Sequence, residues 1–342
     1  MPGLTLGALV EAVSRLTPLQ VPALGDAATA NVSAIAYDSR VVSPGAVFVA
    51  LQGTKQDGLR YAADAIERGA VAVVADRAPE RAPGVPWIVA GQGRVALAAL
   101  AAAYYAHPSE HLLLVGVTGT NGKTTSTYLL EGVFEAQGWT SGRIGTTGYR
   151  VGREERPSAR TTPEAPDLQA LLREMVTLGC QACAMEVSSH ALDLERVTFS
   201  RFGAAIFTNL TRDHLDYHGD MEAYFAAKRR LFEMLPREAP AAINVDDPRG
   251  DRLVEIVSQP VTYALSRPAD VAPRSLQLSL RGIDAELATP AGVMRLRTPM
   301  PGRPNAYNAF GVVAACIGLG IPLATIAQGL EHIAAVPGRF EV

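Results

Sequence analysis

Segment 112–137 constrains the fold of this chain most. Residues 112–117 form an unbroken apolar run, Thr118-Gly-Thr-Asn-Gly-Lys-Thr-Thr125 follows, and 124–137 repeats apolar residues at helical spacing. An apolar run without alternation predicts a strand buried on both faces, as in a parallel sheet. The change to a 3.6-residue period predicts a helix directly behind the loop. Strand, glycine-containing turn and helix N-terminus together make a phosphate cradle, because the turn lets backbone N–H groups converge on anionic oxygens and the helix end adds partial positive charge. Lys123 would place a point charge on the β- and γ-phosphates of a nucleoside triphosphate, ATP being the expected one, and the Thr124 hydroxyl is placed to ligate Mg2+. Gly119, Thr120, Asn121, Gly122 and Thr125 complete the expected nucleotide-binding loop. Its register departs from G-x-x-x-x-G-K-[ST]: Val117 stands five residues before Gly122, and the nearest glycine, Gly116, is one residue away. The remaining Gly119-x-x-Gly122-Lys123-Thr124 also occurs in ordinary turns, so the flanking strand and helix carry the phosphate reading.

Apolar runs at 34–37, 46–51, 71–75 and 87–90, with a helical pattern at 61–68, predict a small α/β domain at 1–107. An alanine-rich helix at 95–106 ends at His107-Pro108, which marks a boundary. The second domain, 108–335, holds further expected strands at 182–187, 204–208, 241–245 and 261–264, separated by helices such as 166–179 and 221–234. That alternation predicts an α/β fold with a mostly parallel sheet. Two alternating runs between 276 and 297 flank Thr289-Pro-Ala-Gly292 and predict an antiparallel hairpin at the sheet edge. Helices at 305–319 and 322–333 close the domain.

A length of 342 residues suits two domains rather than one core, and 48% hydrophobic with 19% charged residues describes a soluble α/β enzyme. No stretch approaches the ~20 apolar residues of a membrane span. Residues 1–10 lack a basic start and a long apolar core, so a cytoplasmic protein without membrane contact is expected. A net charge of −3 gives no broad positive field for nucleic acid. Cys180-Gln-Ala-Cys183 has C-x-x-C spacing, but no second ligand pair follows it and Cys183 sits in an apolar run, which reads as buried strand cysteines rather than a zinc or redox site.

Met185-Glu-Val-Ser-Ser-His190 follows an expected strand, and ligands of parallel sheets gather at the carboxyl ends of strands. Glu186 is placed to face the phosphate crevice. Thr208-Asn-Leu-Thr-Arg-Asp-His214-Leu-Asp-Tyr-His218 also starts at a strand end and concentrates amide, carboxylate and imidazole groups. Mg2+ prefers oxygen, so Glu186 is an expected ligand and His214 a less usual one. Each histidine alone would read as part of a solvated loop; beside a phosphate loop the density reads as a site.

These residues resemble the Mur ligases, and within them the MurE type. The resemblance rests on residues 118–125, Thr161-Thr-Pro, Met185-Glu-Val-Ser-Ser-His-Ala-Leu192, Phe207-Thr-Asn-Leu, Asp213-His-Leu-Asp-Tyr-His-Gly219, Ala226-Ala-Lys228 and Asn305-Ala-Tyr-Asn308, all in family order. Asp38-Ser-Arg40 and Asp57-Gly58 also fit. The resemblance implies that 1–107 binds the UDP part of a sugar nucleotide, with Ser39 in contact, and that 108–335 is the central ATPase domain. It implies Thr161, Thr162, Ser188 and Arg196 as groups holding the muramoyl-dipeptide, and Asn305 and Asn308 as residues near the adenine. Thr124, Glu186, His214 and Lys228 become ligands of two Mg2+ ions, Lys228 as a carbamate; its other reading is a helix-surface lysine beside Arg229 and Arg230. Lys123, His214 and Lys228 are the expected catalytic residues.

The implied reaction is the ATP-dependent joining of an amino acid to the D-Glu γ-carboxylate of UDP-MurNAc-L-Ala-D-Glu through an acyl phosphate, by a monomer, in peptidoglycan synthesis. Leu194 stands where the family commonly has glutamine. The chain also ends at Val342, where the family continues into a third α/β domain; on this reading that domain is absent and 336–342 begins the linker to it. Alternatives are a folylpolyglutamate-synthase-like ligase, or an ATP-binding module that is catalytically incomplete without the third domain.

Overall fold

The computed structural model describes residues 3–53, 57–79 and 84–333. The expected linker at 336–342 lies outside them. The chain forms two compact units: Met1–Pro108 with Glu164–Arg173 and Leu194–Ser200, and Ser109–Pro163 with Glu174–Asp193 and Arg201–Val342. No described helix is long and apolar enough to cross a membrane.

The first unit holds a four-stranded parallel sheet whose spatial order follows the chain: Ala34–Ala36, Ala46–Ala50, Ala72–Ala75 and Trp87–Val89. Period-two alternation splits its apolar residues between two faces. Val47, Val49 and Val74 pack with Leu6, Leu9, Leu97 and Leu100 of helices Leu6–Ser14 and Gly93–Tyr104, whereas Phe48, Val73 and Ala75 pack with Ala62 and Ala65.

The second unit is built on an eight-stranded sheet in the order Pro260–Tyr263, Ala241–Asn244, Ala204–Phe207, Leu113–Thr118, Ala182–Glu186, Ser141–Gly145, Gly148–Val151 and Glu154–Arg156. The first six strands pair in parallel, and Gly148–Val151 pairs antiparallel with both Ser141–Gly145 and Glu154–Arg156. Beyond Leu113–Thr118 the next strand in the chain lies to one side of it, and the strands from Ala204 onward lie to the other. That reversal opens a crevice at its carboxyl end. Helices Lys123–Ala136 and Arg303–Gly318 bury Leu129, Leu130, Val133, Phe134, Phe310 and Val313 with Val115, Val117 and Ile206 of the strands.

Two expectations need correction. The run around 276–297 is not at the edge of the main sheet: Ala272–Ser279, Gly282–Thr289 and Gly292–Thr298 form a separate three-stranded antiparallel sheet. Its alternation buries Ala285, Leu287, Met294 and Leu296 in the core that also holds Ile326 and Leu330 of helix Leu323–Glu331, so the hairpin has its own partner. The antiparallel strands at an edge of the main sheet are instead those of the meander at 141–156. Of the three buried, free cysteines only Cys183 lies in a strand; Cys180 precedes it in a turn region and Cys316 belongs to helix Arg303–Gly318. Burial raises the Cys183 thiol far above its ordinary pKa, which leaves it inert.

Candidate active site

The phosphate loop joins strand Leu113–Thr118 to helix Lys123–Ala136. Gly119 and Gly122 have φ of +147° and +89°, and a Cβ on them would stand 1.9 Å from Thr208 Oγ1 and 2.2 Å from Asn308 Oδ1. Val117 occupies the position of the missing glycine and is a buried strand residue, so this loop is shorter than the standard pattern. Segment 208–211 fixes it. Thr120 N–H donates to Asn209 O at 2.9 Å, Asn121 N–H to Asn209 Oδ1 at 3.0 Å, and Thr208 Oγ1 to Asn121 O at 2.6 Å. Lys123 Nζ folds over the loop and donates to Gly119 O and Thr120 O at 2.8 and 2.9 Å.

Glu186 ends strand Ala182–Glu186 and is 1% exposed. Its Oε1 accepts from Thr124 Oγ1 at 2.9 Å and Thr146 N–H at 2.8 Å, and its Oε2 accepts from Thr146 Oγ1 at 3.2 Å. These donors are neutral, so a buried carboxylate beside an anion-binding loop is left in want of a cation. Hydroxyl and carboxylate oxygens fit Mg2+, which is commonly held by one or two carboxylates together with phosphate oxygens. Among the described residues no three His, Cys, Asp or Glu side chains group to hold a metal by themselves.

Lys228, in helix Met221–Glu233, is 1% exposed, which removes the helix-surface reading. Its Nζ donates to Gly119 O at 2.9 Å and stands 4.5 Å from the centre of the Tyr224 ring. Burial, then the neighbouring Lys123 charge, hold its amine well below the usual lysine range, against the opposing pull of Asp213. His214 has φ +52° and a half-exposed side chain 3.5 Å from Asp213 Oδ2. Its ring meets His190 edge-on at 5.0 Å. His218 Nε2 lies 2.9 Å from Ser189 Oγ, and burial followed by the His190 charge depresses its pKa.

Asn305 and Asn308 are buried on helix Arg303–Gly318, with Asn308 Nδ2 donating to Asn305 Oδ1 at 3.2 Å. A cavity of about 690 Å3 joins this helix to loop residues 120–125, Glu186, His214, Thr161 and Ser188. Gly119, Thr162 and Lys228 are not in its lining. Thr162 Oγ1 instead donates to Glu186 O at 2.8 Å and accepts from Ser188 N–H at 3.2 Å. Ser39 and Arg196 belong to the other unit. There Ser39 is buried with its hydroxyl on Asp64, and Arg196 pairs with buried Glu164 at 2.9 Å. Sequence reasoning missed Thr146, Asn244, Arg303 and Tyr307, all of which line the cavity. Tyr307, whose hydroxyl donates to Asp246 at 2.8 Å, lies inside the Asn305-Ala-Tyr-Asn308 motif and was findable there; Thr146 lies in a glycine-rich stretch with no such signal.

The family model described as Mur ligase middle domain matches residues 117–316, and that described as Mur ligase family, catalytic domain, matches 31–105. The UDP-N-acetylmuramoyl-L-alanyl-D-glutamate--2,6-diaminopimelate ligase of Geobacter sulfurreducens is 46% identical over 321 residues, 92% of this chain, and this chain spans 63% of that relative's length. The ligase of the same name from Solibacter usitatus is 40% identical over 99% of this chain and 68% of its own length. A solved structure titled with that ligase name superposes with a TM-score of 0.81 at 28% identity, over 96% of this chain and 68% of the other. With a phosphate loop, a strand-end carboxylate and a buried lysine arranged as described, and with matches along nearly all of its length, the chain belongs to the Mur ligase family.

Proposed function

We propose that this chain carries the ATP- and UDP-MurNAc-L-Ala-D-Glu-binding parts of an ATP-dependent ligase that adds the third amino acid of the peptidoglycan peptide, acting as a monomer in the cytoplasm. The observation that carries this reading is the buried Glu186 carboxylate, bonded to Thr124 of the phosphate loop, in one cavity with Thr161 and Ser188. A free carboxylate is a poor acyl donor because oxide is a poor leaving group. Transfer of the ATP γ-phosphoryl group onto the D-Glu carboxylate makes phosphate the leaving group, which the incoming amine displaces.

The residues have separate tasks in that reaction. The Gly119 to Thr125 loop positions the triphosphate, and Lys123 leaves its backbone carbonyls to neutralise β- and γ-oxygens. Thr161 and Ser188 hold the dipeptide carboxylate toward the γ-phosphate, while Ser39 and Arg196 bind other parts of the sugar nucleotide. Asn305 and Asn308 face the adenine. Thr124, Glu186, His214 and Lys228 would hold Mg2+, which offsets the repulsion between the carboxylate and triphosphate anions. For Lys228 this needs a carbamate: the neutral amine's lone pair bonds to the CO2 carbon, a C=O pair becomes an oxyanion, and the nitrogen's proton passes to water. Burial lowers its pKa and so raises the share of neutral amine open to CO2.

The relatives' names make 2,6-diaminopimelate the first amino acid to assay. Phosphate release from ATP with UDP-MurNAc-L-Ala-D-Glu and that amino acid tests the whole reaction. Positional isotope exchange in ATP labelled at the βγ-bridge, with the sugar nucleotide alone, tests acyl-phosphate formation. Exchange that requires the dipeptide is the expected result; ATP binding without exchange or phosphate release would instead make the chain a nucleotide-binding module.

A further inference from the structure

Thr146 follows directly on strand Ser141–Gly145 and bonds to both oxygens of one carboxylate, its N–H to Glu186 Oε1 and its hydroxyl to Oε2. Its Oγ1 also lies 3.0 Å from Thr161 Oγ1. A hydroxyl has one proton, here given to Glu186, so Thr146 accepts from Thr161. A chain of hydroxyls therefore runs from Thr161 to the buried carboxylate.

The turn that carries Thr146 is fixed on several sides. Ser158 Oγ donates to Thr146 O at 2.8 Å. Arg143, 2% exposed, pairs with Glu131 of the phosphate-loop helix at 3.0 Å and donates to Thr147 Oγ1 at 3.2 Å. At Gly145 a Cβ would stand 2.3 Å from Glu186 Oε1, so the strand approaches the carboxylate as closely as a glycine allows. Glu186 thus meets a preset pair of donors rather than choosing its own rotamer.

We propose that Thr146 is a positioning residue: it holds the Glu186 carboxylate in the orientation that receives a divalent cation and ties that orientation to Thr161, on the acceptor-substrate side. This rests on the reading of Glu186 as a cation ligand. Removing a hydrogen-bond partner of a ligating carboxylate typically lowers metal affinity by about 10–100-fold.

Mn2+ is the probe, followed by electron paramagnetic resonance on the chain saturated with ADP, for wild type, Thr146→Val, Thr146→Ser and Glu186→Gln. Glu186→Gln should weaken Mn2+ binding most, Thr146→Val should weaken it about tenfold, and Thr146→Ser should stay within about twofold of wild type. ADP affinity in EDTA should not change in Thr146→Val. Wild-type Mn2+ affinity in Thr146→Val, with Glu186→Gln weakened, overturns the positioning role and leaves Glu186 a ligand. Wild-type Mn2+ affinity in Glu186→Gln overturns the ligand reading and the proposal with it. Loss of ADP binding in EDTA by Thr146→Val also overturns the proposal, because the turn would then be supporting the whole cavity.

Discussion

At Gly122 two constraints coincide: φ is +89°, and the space a Cβ needs is filled by Asn308 Oδ1 at 2.2 Å. Left-handed backbone costs a non-glycine residue roughly 1–2 kcal/mol. Asn308 is buried and bonded to Asn305, so it cannot move aside without breaking that bond. Gly122→Ala is therefore expected to weaken ADP binding about tenfold or more, at 1.4 kcal/mol per tenfold. Titration with a fluorescent nucleotide checks this, and undiminished affinity would show that the loop does not use its observed shape. Lys228→Ala should abolish turnover in the amino-acid assay, and added bicarbonate should not restore it; normal turnover would end the carbamate reading. His218 makes a pH prediction. Its folded pKa lies below the ordinary 6.5, so between the two values the unfolded chain binds more protons. Stability from this group is complete above the ordinary value and is lost as pH falls through the folded one. His218→Asn should shrink the drop in urea midpoint between pH 7.5 and pH 5.5, whereas an unchanged drop would assign the acid sensitivity to other groups. Glu186 was legible because a carboxylate ended an apolar run next to a phosphate motif. The burial of Lys228 was not, because Arg229 and Arg230 follow it directly and the three charges together read as a helix surface.

Elements were legible where they bury both faces. The strands Leu113–Thr118, Ala182–Glu186 and Ala204–Phe207 are apolar throughout or nearly so, and each was expected within a residue or two of its observed ends. The meander at 141–156 was not, for a definite reason: Gly142, Gly145 and Gly148 weaken strand propensity, and Arg143 and Arg150 read as solvated. In the structure Arg143 is buried because Glu131 and Glu155 meet it at 3.0 and 2.9 Å and the Tyr128 ring lies 3.8 Å from its guanidinium. Breaking a buried ion pair by removing one partner costs about 3–5 kcal/mol. Arg143→Met should fall near the lower end, about 3 kcal/mol, because Glu131 keeps Arg150 at 2.6 Å. The double variant Arg143→Met with Glu131→Leu should recover part of the loss, since no buried carboxylate is left behind. Urea unfolding measures both, and a single variant as stable as wild type would mean that the pair contributes nothing net.

The whole molecule divides differently from its sequence. A boundary at Pro108 has a local signal, a helix end before a proline, but Glu164–Arg173 and Leu194–Ser200 return to the first unit from inside the second segment. No local pattern marks such a return, because one piece is the front of helix Ala165–Thr177 and the other is largely turn. Within the first unit these pieces are well bound. Ala165 packs with Ala98 and Ala101, as does Phe199. Gln169 Nε2 donates to Ser200 Oγ at 3.0 Å, Arg173 Nε donates to Tyr105 O at 2.8 Å, and Glu164 bridges Arg94 and Arg196. A fragment ending at residue 108 would expose the Ala98 and Ala101 side of helix Gly93–Tyr104 and strip the partners from Arg94 and the Tyr105 carbonyl. The strand pairs of its sheet would all remain, since every partner lies within 1–108. Hydrogen exchange of the fragment against the whole chain should therefore be uneven. Amides of residues 98–104 should exchange faster in the fragment, while Ala46–Ala50 and Ala72–Ala75 stay the best protected. Equal protection of the helix in both would show that residues 1–108 stabilise it without the returning segments.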